Sequence, residues 1–75
     1  MNKDEVRELD VGDIIFHVKR ASPYEVESKG QVKMFGEWSE CLTYRCMVHE
    51  SIYTRLITNF EGFVLHIKGG DYDTP

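Results

Sequence analysis

The sequence predicts a mainly β domain, a small barrel or strongly bent antiparallel sheet of about five to six strands with a short N-terminal helical turn. The stretch from Cys41 to Val48 carries the clearest signal, because apolar or weakly polar side chains occupy every second position. A side-chain period of two is typical of a strand with one buried face. Other short apolar segments flank it, separated by turn signals that contain Gly or Pro. A barrel would remove the exposed edges of these strands in few residues.

Length and composition indicate a single domain. The chain has 75 residues, of which 41% are hydrophobic and 29% charged, as in ordinary globular proteins. We expect one domain over 1–75, made of an acidic N-terminal segment (1–10), the β-barrel (11–68) and a mobile tail (69–75).

The first ten residues predict a short helical turn. Asn2 is suited to cap it, and Asp4 and Glu5 lie near its positive end. Val6 and Leu9, three positions apart, are expected to form its apolar contact.

Two strands and a hairpin are predicted next. The strands run over 14–19 and 24–28, and Pro23 interrupts the ladder between them. The tightest hairpin signal is Ser28-Lys29-Gly30-Gln31, because glycine tolerates a positive φ. A third strand carries Val32 and Met34, Phe35-Gly36 is interpreted as a bulge or bend, and residues 37–40 as a short loop.

The segment from Ile52 to Ile67 fits two patterns. A period of 3.6 gives an apolar helical stripe, whereas Gly62 and several β-branched residues oppose one long helix. We favour a strand over 52–57, a tight turn over 58–62 and a last strand over 63–68. A helical turn near Asn59 is the main alternative.

Charge and hydropathy narrow the possible partners. The net charge of −4 disfavours binding along a phosphate backbone, which requires a basic field. It suits a protein partner with a basic surface, or serves solubility alone. No apolar run approaches the roughly 20 residues of a membrane span, and the N-terminus lacks the apolar core of a signal peptide. We therefore expect a cytoplasmic protein without a membrane partner.

Cys41, Cys46 and His49 are the candidate metal ligands. Zinc sites use close Cys and His pairs with a second pair elsewhere, and the sequence has only these two cysteines. On one strand Cys41 and Cys46 would point to opposite faces, about 16 Å apart at about 3.3 Å per residue. We expect ordinary thiols of a reducing compartment, with no metal, no cofactor and no disulfide.

Catalysis is not expected either. The sequence has no phosphate loop, serine elbow or paired-carboxylate motif. A domain of this size seldom encloses a pocket of about 300 Å³. The sequence therefore predicts a protein that is not an enzyme.

The candidate binding residues are aromatic or charged. They are Trp38, Tyr53, Arg45, Arg55, Glu37 and Glu40. Aromatic and arginine side chains are the usual anchors of protein interfaces, and Trp38 is the leading candidate. Its acidic neighbours would suit a basic partner; alternatively, the indole caps the open end of the barrel.

Arg45 and Arg55 lie on adjacent predicted strands. They are expected on one face, with Glu25 or Glu27 as cross-strand partners. A solvated ion-pair face is the expected outcome, with an anion site as the alternative.

These features together predict a non-catalytic protein-interaction or regulatory module. The first alternative is a nucleic-acid-binding barrel with a basic edge made of Lys19, Arg20, Lys29 and Lys33. The second is a metal or redox role for the Cys and His residues. Monomer and homodimer both stay open, since an exposed first or last strand can pair with its copy.

Several segments resemble known small domains. The run Val11-Gly12-Asp13-Ile14-Ile15-Phe16-His17 resembles the start of SH3-like barrels, which begin with a Gly-Asp turn before an apolar strand. The chain is also similar to a family of short bacterial and phage proteins of unknown function. The matching segments are Phe16-His17, Tyr24-Glu25-Val26, Leu42-Thr43-Tyr44-Arg45 and Tyr53-Thr54-Arg55, with Phe60 further on. Leu56 stands where that family often carries proline. The resemblance implies a barrel fold and a cytoplasmic location. It implies nothing about activity, because that family has no established activity.

Overall fold

A computed structural model describes residues 1–69, which form an antiparallel sheet of five strands and one short helix. The elements are α1 (Lys3–Arg7), β1 (Ile14–His17), β2 (Ser22–Met34), β3 (Glu37–Cys46), β4 (Ile52–Leu56) and β5 (Phe63–Ile67). The strand order is β4-β3-β2-β1-β5. The mainly β class and the helical turn are confirmed. Within the described residues β4 and β5 do not pair, so the sheet is open and a closed barrel is not confirmed.

The structure bears on two further expectations, one about the C-terminal tail and one about membrane spans. Except for Gly69, the tail predicted to be mobile lies outside the described residues. Among residues 1–69, no helix has the length and apolar character needed to cross a membrane.

Helix α1 begins at a capping box, as its sequence predicts. The Asn2 side chain accepts a hydrogen bond from the Glu5 backbone amide at 2.8 Å, and the Glu5 carboxylate accepts from the Asn2 amide at 2.9 Å. These bonds satisfy backbone donors that a helix of this length would otherwise expose to solvent. The helix buries Val6 completely and, just beyond it, Leu9.

The predicted hairpin position is wrong. Strand β2 runs straight through Gly30, which pairs with Cys41, and the chain reverses at Phe35–Gly36 instead. Phe35 and Gly36 have φ of 51° and 82°, and positive φ at both loop residues is the requirement of a type I′ turn. The bulge lies at Glu27 rather than at the Phe35–Gly36 pair. Consequently residues 37–40, predicted as a loop, belong to β3.

The second half of the chain agrees with the favoured interpretation. Strands β4 and β5 begin at the predicted residues and end one residue earlier, and residues 57–62 form turns between them. β1 ends at His17, two residues before the predicted end, because residues 18–21 turn toward β2. The segment after Ile52 is therefore strand, turn and strand, and not one long helix.

The core lies on one face of the sheet, where α1 and the 57–62 turn cover it. Its side chains are Val6, Leu9, Ile15, Tyr24, Val26, Leu42, Tyr44, Cys46, Ile57, Phe60 and Phe63. Leu42, Tyr44 and Cys46 alternate along β3, so the predicted period of two is confirmed at the centre of the sheet. The aromatic members pack edge to face; the Tyr24 and Tyr44 rings, for example, lie 5.3 Å apart at 87°.

Asp13 is a buried carboxylate that joins the start of β1 to the end of β5. It is 1% exposed and accepts three hydrogen bonds: from the Asp10 amide (2.8 Å), the Gly69 amide (2.7 Å) and the Lys68 ammonium (2.8 Å). Gly69 lies so close to the Gly12 backbone that a Cβ there would come within 2.8 Å of the Gly12 carbonyl carbon. We call Asp13 and its three donors the Asp13 lock.

Burial alone would raise the pKa of Asp13, but the hydrogen bonds from Asp10, Gly69 and Lys68 outweigh it and hold that pKa below its ordinary value. The unfolded chain therefore takes up a proton at this position first as pH falls. The contribution of Asp13 to stability is complete above about pH 4 and is lost as pH falls toward the folded-state pKa.

We predict that Asp13→Asn lowers the free energy of unfolding by about 1–3 kcal/mol at neutral pH. The substitution puts a neutral amide in place of a buried carboxylate that accepts hydrogen bonds from three donors. Chemical denaturation over a pH series measures it. The loss should shrink as pH falls below about 4, because the unfolded wild-type chain then takes up a proton at Asp13 before the folded chain does. Asp10→Asn is the matched control, since Asp10 contacts the same Lys68 but is exposed. If the two substitutions lowered the free energy of unfolding equally, the stabilising role of the Asp13 lock would be refuted.

Candidate functional site

The distal part of the β2–β3 hairpin, residues 31–40, stands apart from the rest of the sheet. β1 pairs with β2 only as far as Glu25, and β4 pairs with β3 only from Cys41 onward. No third strand among residues 1–69 flanks this two-stranded ribbon, which we call the outer hairpin. Every residue from 27 to 38 is exposed. The outer hairpin thus offers two open strand edges and two solvated faces.

Phe35 at the tip of the outer hairpin is 99% exposed. Its φ of 51° lies in the left-handed region, where a non-glycine residue costs about 1–2 kcal/mol. Asn or Asp would be the favourable residue at this position of a type I′ turn. A phenyl ring here makes the turn less favourable and presents a large apolar side chain to solvent. Such a feature is typical of a contact residue.

Trp38 lies two residues after Gly36 on the same ribbon and is 65% exposed. It is directly opposite Lys33, whose ammonium is 5.9 Å from the indole centroid. The indole also lines an open groove together with Lys3 and Arg7 of α1 and with Leu56 and Thr58. The N-terminal segment and the indole therefore border one groove, as expected if both contact the same partner.

Side-chain alternation places further apolar groups on the outer hairpin. Val32 and Met34 point to the face opposite Lys33 and Trp38, because neighbouring residues of a strand alternate. Both are about two-fifths exposed, at 39% and 38%. The ribbon consequently carries exposed apolar side chains on both faces and at its tip.

The candidate binding residues lie in three separate places. Glu40 borders the Trp38 groove, where its carboxylate accepts a hydrogen bond from Arg7 Nε at 2.7 Å. Glu37 pairs with Met34 and so lies on the other face of the outer hairpin. Tyr53 and the two arginines are on the main sheet, away from the ribbon.

Arg45 and Arg55 occupy opposite faces of the sheet, which corrects the expectation of a shared face. Arg45 lies opposite Ile52 and Arg55 opposite Leu42, positions of opposite parity on β3. The predicted partners of Arg45 are confirmed: its guanidinium donates to Glu25 and, at 2.8 Å, to Glu27. Those bonds hold the guanidinium charged and raise the pKa of Arg45 above its usual value.

Arg55 faces the aromatic side of the sheet instead. Its Nε donates to the Tyr44 hydroxyl at 2.7 Å, and its guanidinium lies 5.7 Å from the centroid of Phe63. Together these side chains form a shallow depression at the β1–β2 turn, which we call the basic cleft. It is lined by His17, Arg20, Tyr24, Tyr44, Tyr53, Arg55 and Phe63.

The candidate metal ligands do not converge. Cys41 and Cys46 are free, buried thiols at positions of opposite parity on β3, and Cys46 alone belongs to the core cluster. His49 lies in the exposed turn after β3. Within residues 1–69, no three His, Cys, Asp or Glu side chains come close enough together to hold a metal ion.

The four basic residues of the alternative nucleic-acid edge are also divided. Lys19 and Arg20 lie in the β1–β2 turn. Lys29 donates to the Arg7 carbonyl at 2.6 Å, and Lys33 lies over Trp38 on the outer hairpin. They form no continuous basic track.

Sequence reasoning did not single out Phe35 as the exposed residue at the hairpin tip, or His17 and Tyr44 as members of a cleft. The available signal for Phe35 was the Phe-Gly pair between two alternating apolar stretches, which also fits a two-residue hairpin loop. The cleft had no local signal, because its residues come from strands that are far apart in sequence.

Burial raises the pKa of Tyr44, and the hydrogen bond from Arg55 only partly offsets this. We predict that one phenol titrates later than the ordinary value of about 10, and that Tyr44→Phe removes that late step. Because the unfolded chain ionises first, stability should decline as pH rises above about 10. Ultraviolet absorbance of the phenolate measures the titration, with the half-exposed Tyr53→Phe as control. Loss of the late step in the control alone would refute the assignment.

Comparison of this chain with protein-family models, with curated proteins and with solved structures gives no match.

Proposed function

We propose that this protein is a non-catalytic protein-interaction module whose contact surface is the outer hairpin and the adjoining Trp38 groove. The observation that carries the proposal is Phe35: a fully exposed phenyl ring at a left-handed backbone position, on a ribbon that the described residues leave unpaired. A free domain gains nothing from this arrangement. In a complex, the ring supplies an anchor that enters an apolar pocket of the partner.

The ribbon also offers backbone for recognition. An extended segment of a partner can add to either open edge through main-chain hydrogen bonds, with neighbouring side chains setting specificity. Trp38, Met34 and Val32 provide apolar contacts beside that edge. An isolated two-stranded ribbon is marginally stable, so a partner that adds a strand would also stabilise it.

The charge of the chain points to the class of partner. The net charge is −4, and Arg7, one of the two cations that border the Trp38 groove, is paired with Asp4 and Glu40. Like charges across an interface are costly, whereas opposite charges steer association. We therefore infer a partner with an apolar pocket and a basic rim, and no requirement for a cofactor.

We also propose that the sheet is an open member of the SH3-like class and that the protein acts in the cytoplasm. The pairing of β5 with β1 supports the first point, because it returns the end of the meander to its beginning. The two free, buried thiols support the second, since such thiols persist in reducing compartments.

The test uses Phe35→Asn, which separates binding from stability. Asn-Gly is the favoured type I′ pair, so the free energy of unfolding of this variant should exceed that of the wild type by about 1 kcal/mol. Its binding should nevertheless weaken at least tenfold, since the anchor is gone. Affinity capture from the protein's own cells, followed by native mass spectrometry, identifies the partner bound by the wild type. Calorimetric titration of that partner then gives each affinity.

Val48→Asn is the matched control, because Val48 is an equally apolar, 63% exposed residue in the β3–β4 turn. It should leave the affinity unchanged, and Trp38→Ala should weaken it. A partner that binds Phe35→Asn and wild type alike would refute this surface. A Phe35→Asn variant that is less stable than wild type would show instead that the ring has a structural role.

A further inference from the structure

The basic cleft brings positive charge together on a protein with an overall acidic balance. Arg20 and Arg55 both line it, together with His17. Neither guanidinium takes part in the ion pairs formed among residues 1–69, although Arg7, Arg45 and Lys68 all do. This contrast sets Arg20 and Arg55 apart from those three cations.

The polar groups of the cleft are oriented by contacts with their neighbours. The Tyr44 hydroxyl accepts from Arg55 Nε, and the Asn59 carbonyl accepts from Nη1 at 3.4 Å, which leaves Nη2 without a hydrogen-bond partner among residues 1–69. His17 Nδ1 accepts from the Arg20 amide at 3.1 Å. The neutral imidazole therefore carries its hydrogen on Nε2, where it is a donor. Phe63 fixes the ring edge to face at 4.7 Å.

The electrostatics agree with the geometry. Burial lowers the pKa of His17, and the positive charges of Arg20, Arg55 and Lys19 lower it further. These three charges make the potential at the imidazole more positive, and an anion in the cleft would offset them.

We propose that the basic cleft binds the phosphate group of a small phosphate monoester whose organic part is aromatic. Three separate donor groups, two guanidiniums and one imidazole N–H, match the three acceptor oxygens of such a group. Arginine suits this contact because its planar fork donates in pairs. The site is independent of the outer hairpin and lies beyond the proposed protein-binding function.

We assign the contact with the aromatic part of the ligand to Tyr53. Its ring is about half exposed at the rim of the cleft and lies against Tyr44, with centroids 5.8 Å apart at 31°. A nucleobase or phenyl group can pack on the exposed part of this ring. A long nucleic acid is a poorer fit, because the described cations outside the cleft are scattered and form no track along a backbone.

The experiment is an NMR titration of the isotope-labelled full chain with adenosine monophosphate, glycerol phosphate and adenosine. We expect saturable shifts of the His17 ring and Arg55 side-chain signals with the nucleotide, weaker binding of glycerol phosphate, and none of adenosine. Arg55→Gln and Arg20→Gln should each weaken nucleotide binding roughly tenfold, the effect of losing a charge-assisted contact.

Arg45→Gln is the control, because it removes the same charge from the opposite face. It should leave the affinity unchanged, whereas equal weakening would refute a specific site. Arg20→Gln keeps the test valid if Arg55→Gln fails to fold, since Arg20 is an exposed residue of the β1–β2 turn. No saturable shift at millimolar nucleotide, or adenosine binding as tightly as its phosphate, would overturn the proposal. Equal affinity for glycerol phosphate would overturn the role of Tyr53.

Discussion

The Asp13 carboxylate is the interaction on which the rest of this small sheet depends. A buried charge is tolerated only where hydrogen bonds replace its lost hydration, and here the donors come from both ends of the described chain. Those donors keep the end of β5 beside the start of β1. That position in turn lets Phe63 and Phe60 cover the aromatic side of the sheet, where Tyr44 lies at the centre. The charged contact of Asp13, which lies outside the apolar core, therefore holds the elements that cover the core in place.

The same sheet presents two surfaces of different character. The outer hairpin extends beyond the reach of β1 and β4, so its side chains gain no cover from the core. The basic cleft is lined by side chains from all five strands and from the β1–β2 turn, and its Arg55 is oriented by the buried Tyr44 hydroxyl. One surface is extended and apolar, and the other is shallow and cationic. A ligand in the cleft would leave the hairpin accessible to a macromolecular partner.

Features with a local cause were predictable from the sequence. The Asn2 cap, the alternation along β3 and the strand–turn–strand pattern after Ile52 each depend on neighbouring residues. The position of the hairpin turn was not predictable, because Gly30 and Phe35–Gly36 both carry turn signals and only the register with β3 decides between them. The side of the sheet that Arg55 faces likewise depends on the β3–β4 register, since a shift of one residue reverses it. The Asp13 lock needs contacts more than fifty residues apart, which a local pattern cannot indicate.

The pairing of the first strand with the last has a kinetic consequence. β2, β3 and β4 are sequential neighbours joined by short loops, whereas Ile14 and Ile67, which pair between β1 and β5, are separated by most of the chain. Closing such a long loop is entropically costly, so we expect this contact to form last, after the rate-limiting step. Contacts made after the rate-limiting step act on the unfolding rate and hardly on the folding rate. The junction of β1 and β5 should therefore determine how long the folded molecule persists, while the central meander determines how fast it forms.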